Sequence, residues 1–110
     1  MKTCIYFTSD LMFSSRVKPV AAAQGFEVQF PGFEGFSFES QPDLVIFDLE
    51  FVSQEELSDA MNLLREHSPA TKTVGYAPHV KTGLLETAKD LGVDVVWSRG
   101  QFNKQFATLF

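Results

Sequence analysis

The sequence predicts an α/β fold in which helices cover both faces of one five-stranded parallel sheet. Three observations point to it. Four apolar residues, Leu44 to Phe47, run without interruption and end on Asp48. Preceded by the turn signal Gln41-Pro42-Asp43, such a run reads as a strand buried on both faces, the kind found inside parallel sheets. A second β-rich run, Thr3 to Thr8, opens the chain. From there strand and helix signals alternate almost to the end, the pattern of parallel strands joined by right-handed crossovers. With 110 residues, the chain is expected to form a single domain spanning 1–110.

Thr3-Cys4-Ile5-Tyr6-Phe7-Thr8 is the first strand, ending at Ser9-Asp10. The next helix has Phe13, Val17, Val20 and Ala21 at apolar spacing. Ser14 or Ser15 is its expected cap. Pro19 predicts a late start or a kink, and Gly25 the end. Phe26 to Phe30 alternates like a half-exposed edge strand. The stretch from Pro31 to Pro42 has two glycines, a proline at each end and no helical period. It is expected to be an irregular connection, so that the second helix is missing or much reduced. Phe33, Phe36 and Phe38 are expected to cover the sheet in its place, the alternative being an exposed aromatic patch for a partner.

After the central strand, Ser53 and Glu56 form a capping box, and Val52 can staple onto Leu57. Leu57, Ala60, Met61 and Leu64 give the helix its apolar face, and it should stop near His67, before Ser68-Pro69. Thr73 to Ala77 is the fourth strand. A helix with Val80, Leu84, Ala88 and Leu91 on one face follows, closed by Gly92. Val93 to Ser98 is the fifth strand and Arg99-Gly100 the turn after it. Phe102, Phe106, Leu109 and Phe110 mark a short last helix.

Composition narrows the function. Net charge is −5, and the nine Lys and Arg are dispersed, so no nucleic-acid face is expected. No apolar run approaches membrane-spanning length and no signal peptide is visible, so a cytoplasmic location is expected. Cys4, the one cysteine, reads as a buried thiol. One Cys and two distant His fit no zinc spacing.

Five strands in this order suit the flavodoxin-like arrangement 2-1-3-4-5, whose crevice opens between strands one and three. Asp10 and Asp48 would then share one rim, with Ala77-Pro78-His79 and Ser98-Arg99 close by. Two neighbouring carboxylates call for a cation, a shared proton or a basic partner. Mg²⁺ suits hard oxygen ligands, a carboxylate beside it can be a phosphoryl nucleophile, and Arg99 could neutralise the cluster. His79 reads as a solvated loop residue.

These residues resemble the receiver domain of bacterial response regulators, the CheY-like superfamily, over nearly the whole chain. The family's acidic pair after strand one falls on Ser9 and Asp10. Its phosphorylated aspartate falls on Asp48, and its third metal ligand, a backbone carbonyl, on Glu50. The Ala88–Asp94 run looks like the family's passage into strand five. There are departures. The switch hydroxyl falls on Ala77, the lysine ending strand five on Arg99 and the proline after it on Gly100, and the switch aromatic on Val96. Without a hydroxyl at 77, a phosphoryl group loses the differential contact that would couple it to conformation. With Ser9 for an acid, Mg²⁺ should bind weakly.

The resemblance implies a stand-alone module of two-component or phosphorelay signalling, a pseudo-receiver acting through a protein partner, either a kinase or a downstream effector. It implies metal ligation by Asp10, Asp48 and the Glu50 carbonyl. It implies no enzymatic activity beyond Mg²⁺-dependent self-phosphorylation at Asp48. A homodimer is left open. The alternative reading is a small flavodoxin-like nucleotide- or flavin-binding protein or enzyme using the hydroxyl-rich Thr8–Ser15 loop, which lacks phosphate-binding glycines.

Overall fold

The structure is a computed structural model that describes residues 1–31 and 40–110. The expected Phe33–Phe38 cover lies outside the described residues. Five parallel strands form one sheet in the order β2-β1-β3-β4-β5. They are β1 (Lys2–Phe7), β2 (Phe26–Gln29), β3 (Leu44–Asp48), β4 (Lys72–Ala77) and β5 (Val95–Ser98), with helices α1 (Leu11–Ala23), α2 (Gln54–His67), α3 (Thr82–Asp90) and α4 (Arg99–Gln105), the last continued by a 3₁₀ turn at Phe106–Leu109. Among the described residues no helix stands between β2 and β3.

The period of two along each strand splits the core into two layers. Cys4, Tyr6, Leu44, Ile46, Val74 and Tyr76 face α1 and α4, where Phe13, Val17, Phe102 and Phe106 meet them. Ile5, Phe7, Val45, Phe47 and Ala77 face the other way, onto Leu57, Met61, Leu64 and Ala88. All five residues of β3 are buried, as its unbroken apolar run requires. Helix α2 carries the expected capping box, with Glu56 N–H donating to Ser53 Oγ at 3.0 Å and Ser53 N–H to Glu56 Oε1 at 2.8 Å.

Four expectations are corrected. Helix α1 starts early, at Leu11, because Asp10 caps it; Ser14 and Ser15 lie inside, donating their hydroxyls to the Leu11 carbonyl. Pro19 therefore sits within the helix, where the buried side of Phe13, Val17 and Ala21 offsets its missing hydrogen bond. Val80 precedes α3 and is 71% exposed. Strand β5 starts at Val95, since Asp94 is drawn aside to accept from the Thr73 N–H at 2.8 Å and the Thr73 hydroxyl at 3.0 Å. Arg99-Gly100 is no turn: β5 passes directly into α4, whose cap is Ser98. No helix among the described residues is long and apolar enough to cross a membrane.

Candidate functional site

The parallel register Cys4↔Leu44 to Phe7↔Phe47 ends β1 and β3 together, so the residues beyond Phe7 come to lie beside Asp48. Thr8 makes the link. Its hydroxyl donates to Asp48 Oδ2 at 2.7 Å and accepts from the Asp10 N–H at 3.0 Å. The other Asp48 oxygen, Oδ1, accepts the Glu50 N–H at 3.1 Å. Asp48 is 5% exposed, a burial that its donors make tolerable.

Asp10 has two tasks. Its Oδ1 caps α1 by accepting the N–H groups of Met12 at 2.9 Å and Phe13 at 3.1 Å. Its Oδ2 takes the Arg99 guanidinium at 2.6 Å. The Phe13 N–H is the chief reason that the carboxyl is held below its ordinary range, and Arg99 adds to it against a partial desolvation. Partial burial is the largest single influence on Arg99 and works against its charge, but the hydrogen bond to Asp10, the charge of Asp10 and lesser contributions from Tyr76 and Asp48 together outweigh it and raise its affinity for the proton. The guanidinium also lies 4.6 Å from the centre of the Phe13 ring, a cation–π placement, and 3.9 Å from Glu50 Oε1. Capping Ser98 aims it: the Gln101 N–H donates to Ser98 Oγ at 3.1 Å, which fixes Arg99 as the first residue of α4.

The rim thus gathers Asp10, Asp48, Glu50 and Arg99, as the strand order implies. Ser9 is exposed and Ala77 is fully buried in the layer facing α2 and α3. Sequence reasoning missed Thr8, whose only signal was a hydroxyl at the end of β1. It also missed the pair Tyr6–Tyr76, whose hydroxyls bond each other inside the core; Tyr76 sits opposite Asp48 in the register. Burial is the main reason that both phenols hold their protons well above the ordinary range.

As placed, these side chains do not fit a dication. Arg99 already supplies positive charge to Asp10, whose second oxygen is tied to the helix. Among the described residues, no three His, Cys, Asp or Glu side chains converge as metal ligands. Nor does the Thr8–Ser15 loop offer a phosphate cradle, because Asp10 accepts the Met12 and Phe13 amides.

No protein-family model matches the chain, and no curated protein matches it. Solved structures do. A CheY-like response regulator receiver domain protein from Methanospirillum hungatei JF-1 superposes with a TM-score of 0.70 at 16% identity, over 99% of this chain and 94% of that one. A CheY-like protein (tadZ) from Pseudomonas aeruginosa PAO1 gives 0.71 at 13% identity, over 99% and 96%. A response regulator protein from Burkholderia pseudomallei, with a phosphorylated aspartic acid, calcium ion and citrate, gives 0.65 at 14% identity over 90% of this chain and 60% of that chain. The chain is thus similar throughout its length to CheY-like response regulator receiver domains, and theirs is the flavodoxin-like fold it adopts.

Proposed function

We propose that this chain is a receiver-like signalling module that acts through protein contacts, without enzymatic turnover and without needing phosphate or metal at its rim. One observation carries the reading: the Arg99–Asp10 ion pair at 2.6 Å stands at the crevice, while Asp48 is buried with a hydrogen bond to each carboxylate oxygen. A dication would have to displace the guanidinium from Asp10. A phosphodonor would have to reach an acid already covered by Thr8. Ala77 offers no hydroxyl to a phosphoryl group, so modification of Asp48 would gain little from a shifted loop. The Burkholderia pseudomallei neighbour carries a phosphorylated aspartate and a calcium ion; here we assign Arg99 the task of neutralising the rim. The partner would be a kinase or a downstream effector.

The test is titration with Mg²⁺, then with Mg²⁺ and beryllofluoride, followed by amide NMR and Trp97 fluorescence, with acetyl phosphate labelling read by mass spectrometry. The expected result is no saturable change at Asp48, Glu50 or Asp10 and no phosphoryl adduct. A saturable, Mg²⁺-dependent shift of those amides, or a hydroxylamine-labile acyl-phosphate adduct lost on Asp48→Asn, would overturn the reading.

A further inference from the structure

Strand β2 lies at one end of the sheet and pairs with β1 alone. Two backbone contacts show which way its groups point. The Lys2 N–H donates to the Gly25 carbonyl at 3.1 Å, whereas the Thr3 carbonyl turns the other way and accepts the Asp43 N–H at 2.9 Å. Residues of a parallel ladder alternate in this respect. Glu27 and Gln29 therefore address β1 with their main chains, and Phe26 and Val28 turn their N–H and C=O groups outward. Among the described residues no strand meets that edge. The side chains alternate as well. Phe26 and Val28 belong to the layer beneath α1, and Phe30 joins them, its ring 5.6 Å from that of Tyr6 and 39% exposed. Glu27 and Gln29 are exposed.

An open edge is a template for another strand, and this one is complementary to itself. Two copies of β2 lying antiparallel across a two-fold axis must set outward groups against outward groups, which leaves few registers. With Val28 on the axis, Phe26 faces Phe30 of the second copy and Glu27 faces its Gln29. The outward N–H and C=O groups of Phe26 and Val28 then find partners, Phe30 gains an aromatic neighbour, and each carboxylate meets a side-chain amide. With the axis one residue earlier, Glu27 directly opposes Glu27, two like charges at close approach. With the axis one residue later, Gln29 opposes Gln29 and Phe26 has no residue of the strand across from it. Pro31, with no N–H, follows Phe30 and keeps the pairing short. We propose that the β2 edge is a self-association surface that joins two copies of this chain, antiparallel about Val28, into one continuous sheet. The two-fold axis uses up both edges, so the assembly closes at the dimer. A contact this short buries less than the roughly 1,200 Å² of a standard interface, which makes the dimer weak and reversible. The inference does not rest on the reading of the rim.

The test is sedimentation equilibrium of the full chain up to about 1 mM, with a ¹⁵N dilution series and amide exchange over the same range, in EDTA. The expected result is a monomer–dimer equilibrium, with dilution shifts centred on Phe26 to Phe30 and amide protons of Phe26 and Val28 that exchange slowly only in the concentrated sample. Charge at position 29 reads the register. Each dimer holds two Glu27–Gln29 pairs, so Gln29→Glu should weaken association about tenfold and Gln29→Lys should strengthen it. Gln54→Glu makes the same charge change on α2 and should leave it unchanged. Val28→Pro, which removes an outward N–H and no bond to β1, should abolish the dimer. A chain that stays monomeric, shifts centred elsewhere, or Phe26 and Val28 amides already protected in the dilute monomer (an edge covered from within the chain) would each overturn the proposal. So would tightening by Glu27→Gln with indifference to the charge at 29, which would put Glu27 against Glu27. With Mg²⁺ and phosphodonor absent, none of these outcomes bears on the reading of Asp48.

Discussion

Two substitutions at Asp10 separate its roles. Asp10→Asn keeps an oxygen that can cap α1, since Asn caps about as well as Asp, but removes the charge that meets Arg99; Asp10→Ala removes both. A lost cap costs about 1 kcal/mol. The ion pair is part exposed, with Arg99 41% and Asp10 20% accessible, so solvent screening limits it to about 0.5–1 kcal/mol. Asp10→Asn should therefore cost about 0.5–1 kcal/mol and Asp10→Ala about 1.5–2 kcal/mol. With 110 residues, unfolding entropy makes 1 kcal/mol worth about 4 °C. The expected losses in Tm are then about 2–4 °C and about 6–8 °C, read by circular dichroism at neutral pH.

High salt should narrow the gap between wild type and Asp10→Asn. Acid should close it. The folded-state carboxyl is held below its ordinary value of 3.8, so the unfolded chain takes up the proton first on acidification. The contribution is full above that value and is lost as pH falls through the lower folded one. Equal losses for the two variants would refute the capping argument. No loss for Asp10→Asn at any salt would refute the ion pair.

Phe102 is fully buried, stacks on Tyr76 at 4.1 Å between ring centres and meets Phe13 edge-on at 5.7 Å. Phe102→Ala should cost about 3–5 kcal/mol in urea unfolding, and a loss below about 1 kcal/mol would show that the layer can collapse around the void. Burial pushes the Cys4 thiol up to about 12, so native protein at mildly alkaline pH should resist a disulfide thiol reagent and react only as fast as it unfolds. Prompt stoichiometric labelling with the fold intact would count against that burial.

The central strand and helix α2 were legible because local signals decide them. Leu44–Phe47 admits no exposed face, and Ser53 with Glu56 forms its box within one turn. The other ends were misread where one residue serves a distant partner. The start of α1 was set too late because Ser14 and Ser15 were weighed as caps and Asp10, whose capping role is just as local, was not; the start at Leu11 follows from it. Ser98 and Gln101 carry the same S-x-x-Q signature as a capping box, yet Gly100 suggested a turn. The pairing of Arg99 with Asp10 spans 89 residues. The strand order, which brings the two rim segments together, is what let Arg99 be expected beside the acids. Val80 fitted the period of α3 but lies before its first turn, where periodicity has no force.

The division of the core into two layers also governs what light can report. Trp97, the sole tryptophan, and both tyrosines belong to the layer beneath α1 and α4. The opposite layer, under α2 and α3, is built from aliphatic side chains with Phe7 and Phe47. Fluorescence and near-ultraviolet dichroism therefore sense one side of the sheet and are nearly blind to the other. A form in which α2 and α3 had come loose would look native by both. An optical label carried on α2 restores binocular vision to any unfolding experiment on this chain.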